Sequence, residues 1–248
     1  MGIQNIISIA KQAGKKILKI YEKGFSVEYK DDRSPLTEAD KASNNLIVNK
    51  LTGLYPNIPI LSEESKNIPF EKRKNWKYFW LIDPLDGTKE FIKKNGEFTV
   101  NIALIHSNRP ILGVVYVPVK DILYYADKNG SFKQEKNNNP EKLKPKENNR
   151  DKLIVAASRS HFNKETKEYI ESLGKEYELI SAGSALKLCL VAEGKADIYP
   201  RLGPTMEWDT AAAHSIVKFA GKKVINYEAN EELTYNKENL LNPWFIVR

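Results

Sequence analysis

Acidic residues recur in this chain where strands end or helices begin: Asp40, Glu63-Glu64, Asp83 with Asp86, and Asp209. The densest case is Trp80-Leu81-Ile82-Asp83-Pro84-Leu85-Asp86-Gly87-Thr88-Lys89-Glu90-Phe91. An apolar run there meets two carboxylates, a glycine and a hydroxyl within one turn. A short buried strand over Phe79 to Ile82 tolerates no ionised aspartate at its end unless something neutralises it. Pro84 fixes the backbone on leaving, Asp86-Gly87 is a turn dipeptide, and Thr88 is placed to cap a short helix starting near Lys89. Two carboxylates, the carbonyl of Leu85 and several N–H groups then surround one point. That is an oxygen-rich cage with an anion-binding rim, suited to a hard divalent cation and a phosphate together.

Ordinary N-capping or a turn accounts for any one of these acids. It does not account for the set. Five or six carboxylates gathered in one cleft repel by several kcal/mol in total unless cations are bound. His106, His161 and His214 are scattered and Cys189 is the single cysteine, so zinc is disfavoured. All-oxygen ligation favours Mg²⁺, with Mn²⁺ as a substitute. Two such ions about 3.5–4 Å apart activate a water and stabilise a leaving alkoxide in displacement at phosphorus.

These acids need elements to position them. Ile6, Ile7, Ala10, Ala13, Ile17 and Tyr21 recur at helical spacing, which predicts an amphipathic helix from about Gln4 to Lys23. Thr37-Glu38-Ala39-Asp40 has the form of a capping box opening a second helix through Leu54. Ile58 to Leu61 and Tyr78 to Ile82 read as strands that each end in acids. Phe98 to His106, Ile111 to Val119 and Ile122 to Ala126 read as an antiparallel meander. Beyond a polar stretch the pattern alternates. Leu153–Ala157, Tyr177–Ile180 and Ala196–Tyr199 are predicted as strands. Lys164–Leu173, Ser184–Glu193 and Thr210–Ala220 are predicted as helices. The expected organisation is an α+β half over 1–132, a polar loop over 133–152 and an α/β half over 153–248, together one catalytic unit stacked in helix and sheet layers.

Composition narrows the class of protein. The 248 residues carry 39 basic and 32 acidic side chains, a formal charge of +7. The segment Lys133 to Lys152 holds seven basic and four acidic residues, so +3 of that excess lies in one Asn- and Pro-rich solvated stretch. No RNP-type aromatic pattern or dense basic stripe accompanies the charge. A non-catalytic binder of polyanions is the reading this disfavours, and no nucleic-acid partner is expected. No segment has the apolar length to span a bilayer. Met1 to Tyr21, broken by Lys11, Lys15, Lys16 and Lys19, reads as a helix rather than a signal peptide. One cysteine excludes an internal disulfide and fits a reducing cytoplasm. Within Ala185-Leu186-Lys187-Leu188-Cys189-Leu190-Val191-Ala192 it reads as a helix core residue.

Asp83-Pro84-Leu85-Asp86-Gly87-Thr88 and Glu207-Trp208-Asp209-Thr210-Ala211-Ala212 resemble the two motifs of the lithium-sensitive, magnesium-dependent inositol monophosphatase superfamily. The resemblance covers essentially the whole chain, with Glu63-Glu64 upstream and Gly183-Ser184-Ala185 downstream. Within the superfamily, Thr88-Lys89-Glu90-Phe91, Gly183-Ser184-Ala185-Leu186-Lys187 and Glu207-Trp208-Asp209 look most like the bacterial branch of 3′(2′),5′-bisphosphate nucleotidases. Ala213 departs from the pattern, standing where many relatives place glycine.

The resemblance implies an α+β fold, the layered αβαβα sandwich of the inositol monophosphatase and sugar phosphatase type. It implies two or three Mg²⁺ ions per site, and it implies roles. Glu64, Asp83 and the Leu85 carbonyl would hold the first ion. Asp83, Asp86 and Asp209 would hold the second, with Asp83 bridging and Glu63 as an outer partner. Thr88, hydrogen-bonded to Asp40, would orient the attacking water, and Gly87 and Thr88 would receive the phosphate. For the far end of the substrate the candidates are Ser184, Lys187 and Arg201, with Ser184 and Lys187 one helical turn apart. The expected reaction is hydrolysis of 3′-phosphoadenosine 5′-phosphate to AMP and phosphate, recycling a by-product of sulfate assimilation. An inositol monophosphate or sugar phosphate is the rival substrate, and Lys187 is the discriminating residue because the former has no second phosphate. A cytoplasmic enzyme acting on a small bisphosphate nucleotide is expected. Weak peripheral contact with the inner membrane and a homodimer are both compatible with the sequence.

Overall fold

The computed structural model describes residues 2–29, 35–65, 68–145, 151–157 and 163–248. His161 and residues 146–150 of the polar stretch lie outside them.

The chain opens with α1 (Ile3–Lys23), followed by β1 (Val27–Tyr29) and β2 (Pro35–Thr37), which pair antiparallel, and by α2 (Glu38–Leu54). Next come β3 (Ile60–Ser62), a 3-10 turn (Glu63–Ser65), α3 (Phe70–Arg73), β4 (Tyr78–Asp86) and α4 (Thr88–Ile92). A meander follows, of β5 (Thr99–His106), β6 (Arg109–Val117), β7 (Ile122–Asp127), β8 (Gly130–Glu135) and β9 (Glu141–Lys142). Together with β3 and β4 it makes a seven-stranded sheet in the order β3-β4-β5-β6-β7-β8-β9, parallel only between β3 and β4. The rest of the chain contributes β10 (Leu153–Ala157), α5 (Lys164–Ser172), β11 (Tyr177–Ser181), α6 (Leu186–Ala192), β12 (Tyr199–Arg201), α7 (Glu207–Phe219), β13 (Val224–Asn226) and β14 (Phe245–Val247).

The layers follow from side-chain parity along the strands. In β4, Trp80 and Ile82 face one side of the large sheet and pack under α1 and α2 with Ile6, Ala10, Ile47 and Leu51. Phe79 and Leu81 face the other side and pack with Cys189 of α6 and Ala212 and Ile216 of α7. The β4 run is continuously apolar because both of its faces are buried. In the second half, Phe245 and Val247 of β14 join that same core, whereas Ile246 turns the other way to Val155 and to Ile170 of α5. Helices, large sheet, helices, small sheets and a last helix are thus stacked in five layers. The small sheets are β10-β11 and β12-β14-β13, joined by a bridge between Val155 and Ile198.

Five sequence expectations shift, the first being the helix expected over Thr210–Ala220, which already begins at Glu207 and so takes Asp209 into α7. The polar stretch does not begin as a loop, because β8 and β9 extend the large sheet to Lys142. The strand expected over Ala196–Tyr199 starts only at Tyr199. The helix expected from Ser184 starts at Leu186, because Ser184 sits in the left-handed region at φ 45°. Finally, Thr88 does not cap α4 but is its first residue. The N-cap is Gly87, whose φ of 92° favours glycine.

Candidate active site

Asp83 and Asp86 are three residues apart, a spacing that puts side chains on opposite faces of a regular strand. A bulge resets the parity: Asp83 pairs with Asn101 and Asp86 with Thr99, two positions on the same face of β5. Pro84, which has no N–H to give the ladder, lies inside the bulge, and its carbonyl accepts from Ser43 Oγ at 2.7 Å. The strand therefore delivers both carboxylates to one cleft.

That cleft has a volume of about 540 Å³, within the range of small-molecule sites. Glu63, Asp83, Asp86, Thr88 and Asp209 line it together with Lys187, Tyr199 and Arg201. Leu85, Gly87 and Ser184 also reach it. The α7 helix brings Asp209 from the second half of the chain. Asp209 is the third residue of α7, and its Oδ2 accepts from the Met206 N–H at 2.8 Å. Glu207, fully buried, accepts from the Asn236 and Lys237 N–H groups and from Lys237 Nζ, tying the start of α7 to the following loop.

Asp40 stands at the third position of α2, in the capping box expected there. Its Oδ2 accepts from Thr37 N at 2.7 Å and Thr37 Oγ1 at 2.6 Å. Its Oδ1 faces the other way and accepts from Thr88 Oγ1 at 3.1 Å. The Leu85 carbonyl lies 3.5 Å from the same hydroxyl.

Electrostatics sets this cluster apart from a row of caps. Burial, followed by the charges of Glu63, Asp86, Asp209 and Asp40, holds the Asp83 carboxyl well above the usual range. Asp209 is raised by burial first and then by Asp86. Asp86 is pushed up to about 6, mainly by burial, against the pull of Lys187 and hydrogen bonds from Asn101 and Ala185. Burial also raises Asp40. In the same cleft, burial brings Lys187 down to about 8 although Asp86 favours its charged form.

The glutamate pair departs from the sequence reading. Glu63 lines the cleft and raises its acids, whereas Glu64, expected as the ligand, is not among the lining residues. The 3-10 turn is the reason. Successive side chains of such a turn leave it about 120° apart, and only one of two neighbours can face β4. Ser184 and Lys187 do not share a helix face either. Ser184 precedes α6, and its hydroxyl donates to the Glu97 carbonyl at 3.0 Å. Lys187 Nζ turns back onto the carbonyls of Ala182 at 3.2 Å and Ser184 at 2.8 Å. Glu97 itself, on the cleft wall, was not singled out by the sequence.

Asp40, Asp83, Asp86 and Asp209 are each turned to their own donors, and among the described residues no three acids already form a closed ligand set. The donor chemistry nevertheless fits divalent cations. The carboxylates are buried, mutually repelling and all-oxygen, and the few N–H groups they hold do not neutralise them. Cys189 is fully buried with its thiol raised by burial, and His214 is engaged by Tyr235 and Glu232, so neither belongs to the cleft.

A mixed sheet layered between helix pairs, with acids from both halves in one cleft, is the architecture of a metal-dependent phosphatase. The chain belongs to the inositol monophosphatase family, whose sequence profile matches residues 3–243. It is 46% identical over 252 residues to the Salmonella typhimurium protein named 3′(2′),5′-bisphosphate nucleotidase CysQ, covering 99% of this chain and 98% of that one. The protein of the same name from Shigella flexneri is 47% identical over 248 residues, again covering 99% and 98%. Among solved structures, CysQ from Bacteroides thetaiotaomicron superposes with a TM-score of 0.87 at 47% identity, covering 99% of this chain and 96% of that one. Among the described residues no helix is long and apolar enough to cross a membrane.

Proposed function

We propose that this chain is a Mg²⁺-dependent 3′(2′),5′-bisphosphate nucleotidase that converts 3′-phosphoadenosine 5′-phosphate and water to AMP and inorganic phosphate in the cytoplasm. The observation that carries this reading is that two cations share one cleft with the acids, Lys187 acting on Asp86 and Arg201 on Asp209. Two of the three Lys187 N–H groups are spent on backbone carbonyls, which aims the ammonium at a fixed place. Arg201 Nη2 donates to the Pro204 carbonyl, while its buried Nε has no hydrogen-bond partner. A buried donor left unpaired costs about 1–3 kcal/mol, and the charge of the guanidinium and the ammonium is what a second phosphate on the substrate would neutralise. A monophosphate seated on the ions has no second anion to offer these cations.

In that cleft, Glu63, Asp83, Asp86, Asp209 and the Leu85 carbonyl are the groups to hold the ions, with Glu63 in place of Glu64. Bound divalent ions would neutralise the phosphate and acidify a water. Asp40 accepts the Thr88 proton, which leaves the Thr88 oxygen lone pairs to accept from that water and aim it. The Gly87–Thr88 turn is the seat of the scissile phosphate. Because acids from 1–132 and 153–248 are both required, the two halves work as one unit.

Phosphate release from 3′-phosphoadenosine 5′-phosphate, inositol 1-phosphate and fructose 1,6-bisphosphate, with and without Mg²⁺ and Li⁺, tests the assignment. The nucleotide is expected to be preferred, with activity needing Mg²⁺ and falling in Li⁺. Arg201→Met should raise KM for the nucleotide by about 30-fold, the worth of a charge-assisted hydrogen bond, and leave inositol 1-phosphate turnover unchanged. Preference for inositol 1-phosphate, or equal damage to both substrates, would reject the nucleotide reading.

The glutamate assignment has its own test in the Mg²⁺ dependence of two variants. Glu63→Gln is expected to lose about 100-fold in kcat/KM with a raised Mg²⁺ requirement, and Glu64→Gln to stay within about 3-fold of the unaltered protein. The reverse order would return the role to Glu64.

A further inference from the structure

We propose that Glu97 is a positioning residue that holds the turn 182–185 and, through it, the orientation of Asp86; this rests on the metal-dependent reading above. Glu97 lies just before β5 with its side chain only 14% exposed. Its carboxylate Oε2 accepts from the Gly183 N–H at 3.0 Å, and its backbone carbonyl accepts from Ser184 Oγ at 3.0 Å. One residue thus binds two successive positions of a turn that lies far from it in sequence.

The fit is close enough to dictate composition. A Cβ on Gly183 would come 2.5 Å from the Glu97 carbonyl oxygen and 2.9 Å from its Cβ, so only glycine lets the two segments meet. Ser184 is held at φ 45°, a left-handed conformation that costs a non-glycine residue on the order of 1 kcal/mol and persists only where neighbours impose it. Glu97 imposes it from one side. Lys187 imposes it from the other, donating to the carbonyls of Ala182 and Ser184.

The consequence appears one residue further on. The Ala185 N–H donates to Asp86 Oδ2 at 2.7 Å, the shortest of the bonds recorded to that carboxylate. Its direction is set by the Ser184 backbone. Relaxing the turn therefore swings the donor that aims Asp86, and partners that orient a ligating carboxylate are typically worth 10–100-fold in metal affinity.

Calorimetric titration with Mn²⁺, beside the Mg²⁺ dependence of phosphate release, tests this. Glu97→Ala is expected to weaken Mn²⁺ binding by about 10-fold and to raise the half-saturating Mg²⁺ concentration by a similar factor. Glu97→Gln keeps an acceptor for the Gly183 N–H and is expected to stay within about 3-fold. Glu97→Asp keeps the charge but not the reach, and is expected to behave as the alanine variant does, which covers the case of Glu97→Ala failing to fold. Unchanged Mn²⁺ affinity in the alanine or aspartate variant, or equal loss in the glutamine variant, would overturn the positioning role. No Mn²⁺ binding by the unaltered protein would instead overturn the metal-dependent reading, and this inference with it.

Discussion

Asp83→Asn is expected to lower kcat/KM by about 10³-fold or more while making the metal-free protein more stable. The two effects share one cause. Asp83 is buried beside Glu63, Asp86, Asp209 and Asp40, and its recorded hydrogen bond is a single N–H from Leu85. Asparagine occupies the same volume without the charge, so on the proposed assignment bound ions would lose an enclosed ligand, worth several kcal/mol of transition-state stabilisation. About 4 kcal/mol is a factor of about 10³. In the folded protein the Asp83 carboxyl titrates above its unfolded value, so its contribution to stability is fully present below the unfolded range and is lost as pH rises through the folded one. In EDTA, the stability advantage of the variant should therefore be near zero at about pH 3.5 and grow toward pH 8, with added Mg²⁺ reversing its sign. Denaturant titrations at three pH values measure this. An advantage that stays flat with pH would show that Asp83 is not repelled by its neighbours, and full turnover would remove it from the reaction.

The sequence showed that acids stand at element ends but not how they come to share a face. Asp83-Pro84 and Asp86-Gly87 announce a turn, because proline and glycine restrict the backbone locally. The parity of Asp83 and Asp86, however, depends on a bulge opposite Asn101 and Thr99, and those partners are fixed only by pairing across the sheet. Glu63 and Glu64 are chemically identical neighbours, so only the direction of a 3-10 turn separates them. β8 is hidden in the sequence because its second half enters the polar run, where a lysine is partly buried by pairing with acids. Ser131 is buried, whereas Lys133, 11% exposed, is neutralised by Glu193 and Glu135. β12 carries a proline within three residues, a composition that argues against a strand unless it is a short one at an edge. Glu97 escaped notice for the same reason as the bulge. Its partners Gly183 and Ser184 lie more than eighty residues away, and nothing local marks the meeting. By contrast, α1, α2 and the Thr37–Asp40 capping box were legible, because helical periodicity and caps are written within a few residues.

Thr88→Val tests the water-orienting pair with the least collateral change. Asp40 is the more buried partner but also closes the capping box of α2, so removing its carboxylate would disturb the helix and the reaction together. Thr88 has no such second duty. Its hydroxyl donates to Asp40 at 3.1 Å, and α4, capped by Gly87, takes no side-chain cap hydrogen bond from it. Valine keeps the shape and removes only the oxygen. An oriented proton acceptor is worth about 10²–10⁴-fold, so kcat should fall by about 10³-fold with KM for the nucleotide within about 3-fold of the unaltered value. Thr88→Ser restores the oxygen on a less restrained side chain and should recover all but about 10-fold of the rate. Burial raises Asp40 above the usual carboxylate range, which strengthens it as a base. The Asp40 contribution to the acid limb of the pH–rate profile should accordingly be present in the unaltered and serine forms and lost in the valine form, which keeps only the limb set by the raised Asp83, Asp86 and Asp209 carboxyls. Steady-state kinetics on the three proteins across pH decides the matter. If the valine variant kept more than a third of the turnover, the attacking water would be aimed by the metal ligands alone, and the Asp40–Thr88 bond would be only a clasp between α2 and α4.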